Sequence, residues 1–175
     1  MLSPTQRSQL TDILTPWSPD LLAACHESLR ALHAYWNQKR GARAMPARGD
    51  LDPIDLKPLL PVMMLIDVVP DERRYVYRLV GTREVEMRGQ DPTGKPVGEA
   101  YYAETPGETI QVLDHVVETR APALFRGIYQ PFASRTQSED VIYLPLSPDG
   151  ETVNMIVVLG HVAWIKDERR ALANE

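Results

Sequence analysis

The sequence predicts an α+β fold built on a five-stranded antiparallel sheet, and three observations predict it. Residues 62–69, 75–80, 124–129, 141–146 and 153–164 have the length and the β-branched or aromatic content of strands. Turn residues join them into hairpins, Pro70-Asp71-Glu72-Arg73 early and Pro148-Asp149-Gly150 late, with helical segments in between. Alternation then sorts them. Residues 62–69 and 153–164 are mostly apolar on both faces, and 141–146 is apolar throughout, whereas 75–80 and 124–130 place Arg78, Arg126 and Gln130 on one face. Two-sided apolar strands belong at the centre of a covered sheet and mixed ones near its edges. The first, fifth and fourth strands are therefore central, the second and third peripheral.

The elements follow in order. Residues up to Trp17 are polar. Ser18-Pro19-Asp20 then has the grammar of a helix start: a capping hydroxyl, a proline at the first helical position and an acid in the first turn. The helix runs to Gly41, with Leu22, Cys25, Leu29, Leu32 and Trp36 forming one apolar seam at spacings of three and four. Asp52-Pro53 opens a short helix to about Leu59, and Pro61 introduces the first strand. Gly81-Thr82 closes the second strand and starts a helical stretch over 83–88. Thr105-Pro106-Gly107-Glu108 is a capping box that launches a longer helix, which ends before Ala121-Pro122. Pro131 and Pro145 lie at or within strands, where a missing N–H marks an edge or a bulge. Residues 1–41 read as a tail and amphipathic helix, 42–165 as the domain, and 166–175 as a charged tail.

Composition narrows the function. With 19 Lys and Arg against 24 Asp and Glu, the net charge of −5 argues against binding to a nucleic-acid backbone. One cysteine excludes a disulfide framework and a four-thiolate zinc site. The longest apolar runs, 62–66 and 155–159, are far too short to span a bilayer, and the first ten residues lack the apolar core of a secretory signal. A cytoplasmic protein, with no membrane and no nucleic-acid partner, is expected.

Several motifs add a resemblance. Residues 46–53 (PARGDLDP) through Leu60-Pro61, Tyr77-Arg78-Leu79-Val80-Gly81-Thr82, Gly89-Gln90-Asp91-Pro92-Thr93-Gly94, and Tyr143-Leu144-Pro145-Leu146 with Asp149-Gly150 resemble, in this order, a bacterial single-domain subfamily of PAS domains. The match covers roughly Trp36 to Trp164. It implies the PAS-like sheet order 2-1-5-4-3, helices on one face, and here an N-terminal helix extension. It also implies small-molecule sensing or protein association in place of catalysis. The motif residues themselves read as scaffold: Asp52 caps, Gly81 and Gly94 permit tight turns, and Arg48 pairs with Asp50 or Asp52.

The chemistry that such domains host is then weighed residue by residue. Haem-binding relatives use a His on the long helix, but His115 falls opposite the apolar arc of Ile110, Val112, Leu113, Val116 and Val117, beside Gln111 and Asp114, and should face solvent. The flavin photocycle needs a Cys beside the ring, and Cys25 sits on the N-terminal seam as a small core residue. His26 and His33, seven apart, do not converge on a metal. Carboxylate pairs such as Glu84/Glu86 read as surface. No nucleophile motif or phosphate loop is present, so the chain is not expected to be an enzyme, no catalytic or metal residue is assigned, and the cofactor is left unknown. Tyr101, Tyr102, Tyr129 and Tyr143, with His161 on an otherwise apolar strand, are the candidate ligand-binding residues, since phenols with one polar end suit small-ligand cavities. The seam Leu22, Cys25, Leu29, Leu32 and Trp36 is the candidate interface of a homodimer. The predicted function is a PAS-type sensor or adaptor without its own output domain, signalling to a partner protein on a separate chain. The alternatives are a small cavity enzyme using His161 or Asp67, and an adaptor that binds only protein.

Overall fold

β1 (Leu14–Thr15), α1 (Pro19–Ala23), α2 (Glu27–Arg40), β2 (Met63–Val68), β3 (Tyr75–Val80), α3 (Thr82–Arg88), α4 (Pro106–Thr119), β4 (Ala123–Phe132), β5 (Arg135–Leu146) and β6 (Met155–Ile165) follow one another in the computed structural model, which describes residues 14–15, 17–100, 106–132 and 135–165. The strands form one antiparallel sheet in the order β1-β4-β5-β6-β2-β3. For the five predicted strands this is the order 2-1-5-4-3. The two-residue β1, on the outer side of β4, was not foreseen.

Pairing explains why the central strands are apolar on both sides. On one face Met63 and Leu65 align with Leu159 and Val157, and these with Ile142 and Leu144. On the other, Met64 and Ile66 align with Val158 and Ile156, and these with Tyr143 and Pro145. The hydrophobic members of both sets are buried. The first face is covered by the N-terminal segment, where Arg126 of β4 reaches Cys25 and His161 of β6 stacks on His26. The second is covered by α3 and α4, through Arg88 against Met64 and Asp114 against Tyr75. The predicted extension is thus the lid of the second layer.

The seam expected to meet a second protomer turns inward. Leu29, Leu32 and Trp36 are 0%, 0% and 3% exposed, Cys25 is buried, and Leu22 packs partly buried on the same core. α2 lies against β5 and β6 of its own chain. Each such leucine removes enough apolar surface to contribute roughly 1.5–3 kcal/mol. These side chains are used in the chain's own core.

Trp36 also settles the place of Pro145 in a central strand. β4 begins opposite Tyr143, so Pro145 has a strand neighbour only on its β6 side. Its carbonyl turns to the open side and accepts the Trp36 indole N–H at 2.8 Å. Ser147, two residues on, likewise turns its N–H that way, to the Pro46 carbonyl. The missing proline N–H costs no ladder bond. Pro131 lies where the β4–β5 register shifts between Tyr129 and Phe132, as a bulge requires.

Three local readings need correction. The long N-terminal helix is two helices: Ser18 caps the first through Leu21 N–H, and His26 caps the second, its Nδ1 accepting from Ser28 N–H. The short helix after Asp52 is a run of turns ending in a 3-10 turn at Leu60–Val62, with Asp52 accepting from Ile54 N–H instead of capping a regular helix. Arg48 pairs with neither acid: Asp50 is taken by Arg43 at 2.8 Å, and Arg48 donates to the Leu51 carbonyl. The Thr105 cap lies outside the described residues.

Gly81 is needed for space. Its φ is −61°, open to any residue, yet a Cβ there would sit 2.4 Å from the Leu60 and Pro61 carbonyl oxygens. That close crossing anchors the start of α3 against the entry to β2.

Candidate functional site

α3 is one short helix, begun at Gly81 and ended by Gly89 in the left-handed region (φ 70°), and its length sets what it presents inward. Glu84 and Arg88, four residues apart, share one face. Their side chains are 9% and 5% exposed, with Arg88 Nε 3.7 Å from Glu84 Oε2. The guanidinium donates to the Tyr77 hydroxyl at 3.3 Å, lies 5.3 Å from the centre of that ring, and sets Nη2 3.3 Å from Met64 Sδ. Tyr77 and Met64 belong to the face that α3 and α4 cover.

Glu139 of β5 projects on the same face, next to Gly160 of β6. A Cβ on Gly160 would lie 3.4 Å from Glu139 Oε1, so the absent side chain leaves that carboxylate its room. Burial raises the carboxyl of Glu139 above the usual range, the charge of Glu84 raises it further, and Arg88 partly offsets both. Glu84 is raised by burial as well, against the pull of Arg88. Among the described residues the buried Glu84 and the half-buried Glu139 are thus set against one guanidinium, an arrangement that costs free energy unless something else compensates it. The cluster can hold a proton, or accept hydrogen bonds from a ligand rich in N–H or O–H groups. Among the described residues no group of three or more His, Cys, Asp or Glu side chains is placed to hold a metal ion.

The predicted ligand residues are scattered. Tyr143 is buried on the same sheet face as Glu139. Tyr129 stands in β4 opposite Gln137, and Tyr101 and Tyr102 lie outside the described residues. His161 is on the opposite face, its ring stacked on His26 at 3.7 Å and 4°. Burial, and then the charge of His26, lower the His161 pKa, while Asp140 opposes them. Asp140 in turn takes a two-pronged ion pair from Arg126, at 2.7 and 3.0 Å. Arg126 also sets Nη2 3.5 Å from Cys25 Sγ. Burial, followed by Asp140, pushes the Cys25 thiol up. The two side chains named for an enzymatic reading are both engaged elsewhere: His161 by His26, and Asp67 by Arg78 at 3.7 Å.

α4 also differs from expectation. His115 is half-buried, and burial lowers its pKa. Asp114, read as a surface acid, is buried and accepts from the Tyr75 hydroxyl and from Arg74. The helix side taken for solvent is closed by the start of β3. Gln111 Oε1 is buried with no hydrogen-bond partner among the described residues.

Sequence reasoning missed Glu84, Arg88 and Glu139. Pairing Glu84 with Glu86 as surface overlooks its i,i+4 partner Arg88, although such a pair does not by itself tell a buried helix face from an exposed one; the apolar Met87 is the residue turned outward, at 52% exposure.

The sequence pattern of a family described as PAS domain matches residues 24–162. No curated protein sequence matches the chain. Among solved structures it is similar to a light-oxygen-voltage domain with a flavin analogue, at 13% identity over 68% of this chain and 88% of that one, with a TM-score of 0.46. It is also similar to a LOV protein of Rhodobacter sphaeroides, at 8% identity over 71% of this chain and 74% of that one, TM-score 0.45. A third is a sensory box sensor histidine kinase of Vibrio cholerae, at 20% identity over 64% of this chain and 92% of that one, TM-score 0.44.

Proposed function

The chain belongs to the PAS domain family, and from that premise we propose that it is a sensory domain whose ligand is read by the buried cluster of Glu84, Arg88, Tyr77 and Glu139 beneath α3 and α4. The observation that carries this reading is the excess, among the described residues, of carboxyl over guanidinium around the buried Glu84–Arg88 pair. Perturbed acids buried under a helix lid are characteristic of sites that hold small polar molecules. The excess favours a ligand that donates hydrogen bonds or carries positive charge. The output is a change in how the domain engages a partner protein, in a cytoplasmic setting, without catalysis.

Mass spectrometry of freshly purified protein after denaturation tests the reading, together with a thermal-shift screen of amine- and amide-bearing metabolites. A small molecule released in stoichiometric amount, or a saturable stabiliser, that is lost in Glu84→Gln and Glu139→Gln supports it. Binding indifferent to both substitutions, or no binder in either experiment, defeats it.

A further inference from the structure

Arg126, Asp140 and His161 align across β4, β5 and β6 on the first sheet face, where Cys25 and His26 of the α1–α2 junction meet them. The His26 and His161 rings lie 3.7 Å apart and 4° from parallel. Their lone pairs lie in the ring planes, so the two cannot converge on one metal ion. His161 is half-buried and His26 exposed, which gives a solvent proton access to the pair. Asp140 stands in register with His161, but Arg126 already takes both of its carboxylate oxygens. On the covering side, α1 carries Asp20 in its first turn and α2 carries Glu27. Arg30 of α2 donates to the Ala23 carbonyl at 2.9 Å.

His26 is also the cap of α2. Its Nδ1 accepts the Ser28 N–H at 3.2 Å, so the neutral ring keeps its proton on Nε2 and a further proton must land on Nδ1. That proton costs the cap bond and sets a positive charge at the positive end of the α2 dipole. A proton on His161 instead is held half out of water, and protons on both rings set like charges face to face. We propose that His26 and His161 form a proton-operated latch, which holds the α1–α2 junction on β6 while both rings are neutral and lets it lift when they take protons. Burial, then the charge of His26, lowers the His161 pKa, with Asp140 opposing. Below the ordinary histidine value of 6.5 the closed pair therefore binds fewer protons than the open one. The closed state is fully favoured above that value and weakens as pH falls through it. Lifting bares Cys25, which is buried when the junction is closed.

Cys25 is the one cysteine of the chain and reports the latch. Its labelling by 4,4′-dithiodipyridine, which reacts with thiols in acid, is timed between about pH 7.5 and about pH 5.5 and divided by the rate in denaturant at each pH. The ratio is expected to rise roughly threefold or more, up to about tenfold for each histidine that stays neutral when closed. Amide exchange should show β2 and β6 still protected, as a local opening requires. His26→Asn keeps a capping side chain and His161→Phe keeps a ring in the stack, so the double variant should give a flat ratio. Three results would each overturn the proposal. One is a wild-type rise below roughly threefold. Another is a rise in which β2 and β6 lose protection together with Cys25. The third is a pH dependence that persists in the folded double variant, which would assign it to His33, stacked on Trp17 further along α2. The wild-type profile alone can refute the latch, so the proposal stays testable if the double variant misfolds.

Discussion

The indole of Trp36 donates to the carbonyl of Pro145 at 2.8 Å, across 109 residues of chain. This bond fastens the N-terminal helix to a stretch of the central strand β5 that has a strand neighbour on one side only. Trp36→Phe keeps most of the apolar volume and leaves a buried carbonyl without a donor. We expect a loss of about 2 kcal/mol or more, since an orphaned buried polar group costs about 1–3 kcal/mol and a cavity adds to it. Urea denaturation followed by circular dichroism measures it. A loss within error would mean that water replaces the bond.

Gly81→Ala should be among the most damaging single-methyl changes in the chain. The added carbon meets two backbone oxygens at 2.4 Å, and neither belongs to a side chain that can swing away. Overpacking of this kind costs about 1–3 kcal/mol, and more where backbone must move. Gly49, where a Cβ meets nothing within 4 Å, is the control, and its alanine variant should melt close to the parent.

Glu139 makes stability depend on pH with a definite sign. Its folded-state carboxyl holds the proton to higher pH than an exposed glutamate does, chiefly because it is buried. Between the ordinary value of 4.5 and the raised one the native chain binds more protons than the unfolded chain, so stability is full below that window and falls as pH rises through it. Glu139→Gln should raise the melting temperature near neutral pH by a gain on the order of 1 kcal/mol, and the gain should vanish below about pH 4. Melting curves from acid to neutral pH show it. A glutamine variant less stable than the parent at neutral pH would count against the desolvated cluster.

Cys25 should be chemically quiet. Its thiol is buried and its pKa is pushed up, so the nucleophilic thiolate is scarce. Ellman's reagent at mildly alkaline pH should label it only as fast as the chain opens, and at once in denaturant. Immediate reaction in buffer would show that the cover formed by α1 and α2 opens readily.

The sheet order was legible because alternation is a direct record of which faces are dry. Residues 62–69, 141–146 and 153–164 kept both faces apolar, and the mixed faces of Arg78 and Arg126 marked the outer strands. The break between α1 and α2 was not legible, since it carries neither Gly nor Pro. It rests on the His26 side chain accepting its own helix's N–H. Glu84 was misread because one carboxylate–guanidinium pair at i,i+4 looks the same in sequence on a wet face and on a dry one. Asp114 was misread for a different reason: its partners Arg74 and Tyr75 are about forty residues away, and no local pattern announces them.

The placement of α2 has a consequence for how the polypeptide is made. α2 and β2 emerge early from the ribosome, yet β6, the partner of β2, and the carbonyl that receives Trp36 are among the last described pieces to appear. Until about residue 159 has been synthesised, β2 lacks its inner partner strand and α2 lacks the strands β5 and β6 that it packs on. Such long-range pairing folds slowly and leaves nascent chains exposed to association. Expression should therefore respond more to chaperone supply and growth temperature than to the stability of the finished fold.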